Sequence, residues 1–70
     1  KYIMKFKDKN YEDIYVGAEV QVPQPTKEFD DIWTFEFVGT IKALEENGYV
    51  VVEDGEGDCF TIEVERVELI

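Results

Sequence analysis

Histidine is missing from all 70 residues, and cysteine occurs once. Without imidazole the usual general base near neutral pH is gone. Neither a thiol–imidazole pair nor an imidazole-bound metal can be assembled. One cysteine, Cys59, forms no internal disulfide. Nothing in the chain asks for an oxidising compartment, so a cytoplasmic setting is expected. Acidic neighbours oppose thiolate formation at Cys59, which reads as a small strand residue. No apolar run nears the roughly 20 residues a membrane-spanning helix needs, and no signal peptide is visible. The chain opens on Lys1 rather than Met, and is expected to be a trimmed product or a piece of something longer.

Basic side chains are scarce after the first nine residues. Residues 1–9 carry a net +3; residues 10–70 carry three basic and sixteen acidic side chains, a net −13. Affinity for a phosphate backbone depends on Lys and Arg, so direct nucleic-acid binding is not expected. The acidity suits a basic partner or plain solubility. Carboxylates are abundant, but glycosidase chemistry also needs a cleft, which a chain this short seldom forms. GEGD at 55–58 lacks the lysine and the following helix of a phosphate loop. An enzyme is the least expected class, and no cofactor is implied.

What remains is strand material. The chain is 44% apolar and 14% aromatic, enough for one small core and too much for a disordered chain. At this length about 60% of the unfolded surface is buried on folding, so stability is slim. Residues 1–7, KYIMKFK, alternate in the manner of a short edge strand, with Tyr2, Met4 and Phe6 on one side. Residues 1–13 are therefore expected to be an N-terminal extension or edge strand, and 14–70 one barrel. Ala18, Val20 and Val22 share a face of the first barrel strand, which Pro23 ends.

Residues 23–34, PQPTKEFDDIWT, form a long loop with Phe29, Ile32 and Trp33 among carboxylates. The longest strand is expected over 35–44. Phe35, Phe37, Gly39, Ile41 and Ala43 lie on its core face, and Gly39 marks a bend or bulge. Asn47-Gly48 makes a turn, YVVV (49–52) a central strand, and 54–58 the next turn. Phe60, Ile62 and Val64 alternate in a fourth strand, Glu65-Arg66 turns, and Val67 and Leu69 close the barrel. The expected fold is all-β: a closed, five-stranded small barrel with a short N-terminal extension strand.

This pattern resembles the Tudor-like branch of the SH3-like small barrels over roughly residues 16–70. The residues that carry the likeness are Val16-Gly17, Gly39-Thr40-Ile41, Val50-Val51-Val52, Gly55-Glu56-Gly57-Asp58, and the hydrophobic close through Val67 and Leu69. Tudor-type readers hold methylated arginine or lysine in a cage of aromatic rings through cation–π attraction. The resemblance places Phe37 and Trp33 at ring positions of such a cage. It places Glu53 and Glu56 where readers tend to carry two further rings, so here carboxylates would meet the cation. The strands around Gly39 also resemble the KOW-type barrels, which usually meet RNA through basic residues that this chain lacks.

The candidate ligand-binding residues are Phe29, Trp33, Phe37, Glu53, Glu56 and Asp58, with Phe35 as a further ring; no metal site is expected. Asp54, Glu56, Asp58 and Glu65 match the first, third, fifth and twelfth ligand offsets of a calcium loop. The required glycine is Cys59, however, and the flanks are strands, so a solvated hairpin turn is the expected role. The expected function is a non-catalytic interaction module binding a basic protein or peptide segment, as a monomer or as part of a larger chain. Two alternatives stand beside it: an acidic inhibitor or nucleic-acid mimic that blocks a basic site, and a structural accessory domain of a larger protein.

Overall fold

Short alternating segments become strands where their apolar side chains can share one face. In the computed structural model, which describes residues 6–70, five do so: β1 (Glu19–Val22), β2 (Phe37–Glu45), β3 (Tyr49–Glu53), β4 (Cys59–Glu63) and β5 (Glu68–Leu69). They form one antiparallel sheet in the order β4-β3-β2-β1-β5. Val20 and Val22 of β1, Ile41 of β2, Val50 and Val52 of β3 and Ile62 of β4 are fully buried on its inner face. Ile14, Ala18, Trp33, Val64 and Val67 complete the core, with Phe6, Phe37, Phe60 and Leu69 packed against it.

The expected closed barrel is found as a sheet whose outer strands, β4 and β5, do not pair with each other. The sheet is nonetheless strongly curled. In a flat sheet β4 and β5 would stand about 19 Å apart, four strand spacings. The five Cα steps from Glu63 to Glu68 reach about 17 Å when fully extended. Three of the linking residues, Val64–Arg66, are wound into a tight 3-10 turn, which shortens the reach further.

Three expectations for β2 are corrected. The register of β2 against β3 shifts between Ile41 and Ala43, so Lys42 is the bulged residue, not Gly39. Past the bulge the faces exchange: Ala43 lies opposite Val51 on the outer face, and Leu44 lies opposite the buried Val50. Gly39 serves close approach instead. A Cβ there would sit 2.5 Å from Val52 Cγ1 and 2.7 Å from the Glu53 carbonyl oxygen. The strand also starts later than expected, at Phe37, leaving Phe35 in the loop and 71% exposed rather than in the core.

The edge expected over residues 1–7 lies mostly outside the described residues. Its last two residues belong to a small hairpin over residues 6–14, with Lys7 bridged to Asp13. The hairpin clips onto β5. Lys9 N–H donates to the Val67 carbonyl at 3.0 Å, and Leu69 N–H donates to Asp8 Oδ2 at 2.7 Å. Asp8 is buried and also accepts the N–H groups of Asn10 and Glu12 on Oδ1. Burial pushes its carboxyl up, but these backbone donors outweigh that and hold it below the usual carboxylate range.

Candidate functional site

The 23–36 loop is irregular but pinned. Trp33 Nε1–H donates to the Pro23 carbonyl at 2.8 Å, and Thr26 N–H donates to Asp31 Oδ2 at 2.9 Å. The indole bond lets the ring enter the core with its polar group paired, and Trp33 is 7% exposed. Its ring stands edge-on to Phe37 and Phe60, with centroids at 6.5 and 5.9 Å, and Phe37 and Phe60 lie 5.6 Å apart.

On the other side of the loop, Arg66 covers the rings. Its guanidinium carbon lies 4.1 Å from the Phe29 ring centroid and 5.7 Å from that of Trp33. Nη1–H and Nη2–H donate to the two oxygens of Asp31 at 3.0 and 2.6 Å, and Nη1–H donates to Glu63 at 3.0 Å. The Asp31 side chain is 4% exposed and that of Arg66 12%. The hydrogen bond from Arg66 holds the Asp31 carboxyl below the usual carboxylate range, with burial opposing. The Asp31 contact likewise raises the guanidinium further above its ordinary value, again against burial. An aromatic pair flanked by carboxylates therefore does hold a cation here, and that cation is the chain's own.

Between the loop and the 54–58 turn lies an open groove of about 850 Å³. Trp33, Phe37 and Phe60 contribute to its lining, with Phe35 and the 78% exposed Ile32. Among the described residues its charged lining is Glu36, Asp54, Glu56 and Asp58, with neither lysine nor arginine. Asp54 Oδ1 is committed to the turn, accepting the N–H groups of Glu56 and Asp58 at 2.9 Å. Glu56 and Asp58 are exposed. Among the described residues, no cluster of three or more His, Cys, Asp or Glu side chains is arranged to hold a metal ion. No helix of these residues is long and apolar enough to cross a membrane.

Of the six sequence candidates, Trp33, Phe37, Glu56 and Asp58 line this groove. Phe29 is not among the groove's lining residues and packs under Arg66 instead. Glu53 is separated from Phe37 by the sheet itself. It pairs with Thr40 and Cys59, one position out of phase with the inward Val52, and its carboxylate bridges Lys42 at 3.5 Å. Cys59 is a free, exposed thiol at the start of β4. Phe35, the further ring, lines the groove as well, whereas Ile32 and Glu36 were not among the sequence candidates. β2 starts two residues later than the expected 35, which leaves Phe35 in the loop and exposed.

Fold and groove together define a small all-β domain with an acidic, aromatic-floored surface. Comparison with protein-family models, with curated proteins and with solved structures gives no match.

Proposed function

We propose that the chain is an SH3-like, Tudor-like module that binds a basic protein or peptide segment in the groove, without catalysis. One observation carries this reading: two highly exposed apolar side chains, Ile32 and Phe35, sit in a groove whose charged lining among the described residues is all acidic. Apolar anchors ringed by one sign of charge are the makings of a binding hot spot. The carboxylates would steer a cationic partner and raise its on-rate at low salt. The strand order and the four-residue return from β4 to β5 support the small-barrel assignment. The acidity argues against direct nucleic-acid binding, and the lone cysteine fits the cytoplasm.

The ring faces of Phe29 and Trp33 are engaged by Arg66, so recognition in this reading falls to Phe35, Ile32 and the carboxylates. The test is a titration of a Lys/Arg-rich peptide into isotopically labelled protein. Shifts are expected around residues 32–37 and 54–60, and Phe35→Ala should weaken binding about tenfold while leaving the fold intact. Shifts spread evenly over every carboxylate would remove the site. Indifference to Phe35→Ala, with salt-sensitive competition against DNA for a basic protein, would favour an acidic mimic.

A further inference from the structure

The two edges of the sheet are treated differently. Along β5 and the residue before it the hairpin supplies partners: Leu69 N–H meets Asp8 and the Val67 carbonyl meets Lys9. On β4 the pairing phase is set by Asp54 N–H donating to the Asp58 carbonyl at 2.9 Å. Alternation from that bond turns the N–H and C=O groups of Phe60 and Ile62 toward β3, and those of Cys59 and Thr61 outward. Among the described residues nothing outside the sheet bonds to these outward groups of Cys59 and Thr61.

This open edge is not bare to bulk solvent. A cleft of about 360 Å³ separates it from the 29–33 loop. The cleft shares Ile32, Trp33, Cys59 and Phe60 with the acidic groove, so the two adjoin along these residues. Arg66 ties Asp31 on the loop side to Glu63 on the strand side.

We propose that the basic partner segment binds extended, adding as a further strand to the free edge of β4 at Cys59 and Thr61. An added strand gains affinity from main-chain hydrogen bonds and specificity from alternate side chains. Side chains on one side of it, at every second position, meet Glu56 and Asp58 at the groove end. The sequence selected is thus one with Lys or Arg at alternating positions. This inference rests on the basic-peptide reading above and adds to it the geometry and spacing of the ligand.

The test uses a ten-residue peptide with lysine at alternate positions and two versions of it N-methylated at alternate amides, in opposite phases. Only one phase of an edge strand faces the sheet. One version should lose at least tenfold in affinity and the other bind nearly as the parent does. Equal affinities, or equal losses, overturn strand addition. A companion protein variant, Thr61→Pro, deletes an outward donor that the β3–β4 ladder does not use. Circular dichroism and tryptophan emission check its fold, and the folded variant should show the same tenfold loss. Wild-type affinity in the folded variant also overturns the proposal; if the variant does not fold, the methylated peptides decide. Parent-peptide binding that is sensitive to Phe35→Ala but blind to methylation phase leaves the groove reading standing and removes this one. No binding of the parent peptide removes both.

Discussion

Arg66 clamps Asp31 across 35 positions of sequence through a two-pronged hydrogen bond, both side chains lying nearly out of solvent. Removing one member of such a pair strands the other. A chain of 70 residues has roughly 4–10 kcal/mol of stability in total, and the loss expected for Arg66→Ala or Asp31→Ala is about 3 kcal/mol. Arg66→Lys should recover little, because lysine offers neither the planar fork nor the stack on Phe29. Urea midpoints measure all three; a loss under about 0.5 kcal/mol for Arg66→Ala would show the clamp to be energetically idle.

Asp8 sets an acid limit on the fold. Its folded pKa lies below the unfolded value, as does that of Asp31. Each contribution is complete above the ordinary carboxylate value near about 4 and is lost as pH falls through the folded pKa. Protonation of the many exposed carboxylates acts the other way by relieving repulsion, so a comparison is needed. Asp8→Asn turns an amide donor toward Leu69 N–H or breaks that contact, and should cost about 1–3 kcal/mol at pH 7. Its deficit should shrink as the pH falls below the ordinary carboxylate value and through the lower folded pKa. A constant deficit from pH 7 to 2 would contradict the assignment.

Gly39→Ala should destabilise the chain although the backbone there is ordinary strand. The added methyl meets the Val52 side chain and, worse, the Glu53 carbonyl, which belongs to the adjacent strand and cannot rotate away. Overpacking of this kind costs about 1–3 kcal/mol. Gly39→Ala combined with Val52→Ala should not restore stability, since the carbonyl contact remains. Thermal or urea unfolding of the pair decides it.

Trp33 should emit at the blue end of the tryptophan range and resist quenching by iodide, given its burial. Trp33→Ala should unfold much of the population, at a cost of about 3–5 kcal/mol. A red-shifted, freely quenched indole would put the ring outside the core and reopen Trp33 as a contact residue.

The strands were legible because apolar alternation survives in local sequence. Val20 and Val22, Val50 and Val52, and Phe60 and Ile62 all fall on the inner face, as their spacing requires. The bulge at Lys42 was not legible: it is fixed by pairing with β3, and one extra residue inverts every later side chain. Phe35 and Phe37 have the same spacing rule and opposite fates, because only Phe37 finds a partner strand, at Val22. For the site, Glu56 and Asp58 were readable from their turn, whereas the Arg66–Asp31 clamp and the Asp8–Leu69 link join residues far apart in sequence. No local pattern announces such contacts.

The Asp8–Leu69 bond spans 61 positions. During synthesis this hydrogen bond therefore cannot form until Leu69 has left the ribosome. By then β2, β3 and β4, whose contacts are short in range, can already have assembled. Docking of β5 between β1 and the waiting hairpin is then the closing event, and it carries the largest loop-closure penalty of the fold. Changes at Asp8 or Leu69 should accordingly leave the folding rate almost untouched and appear as faster unfolding.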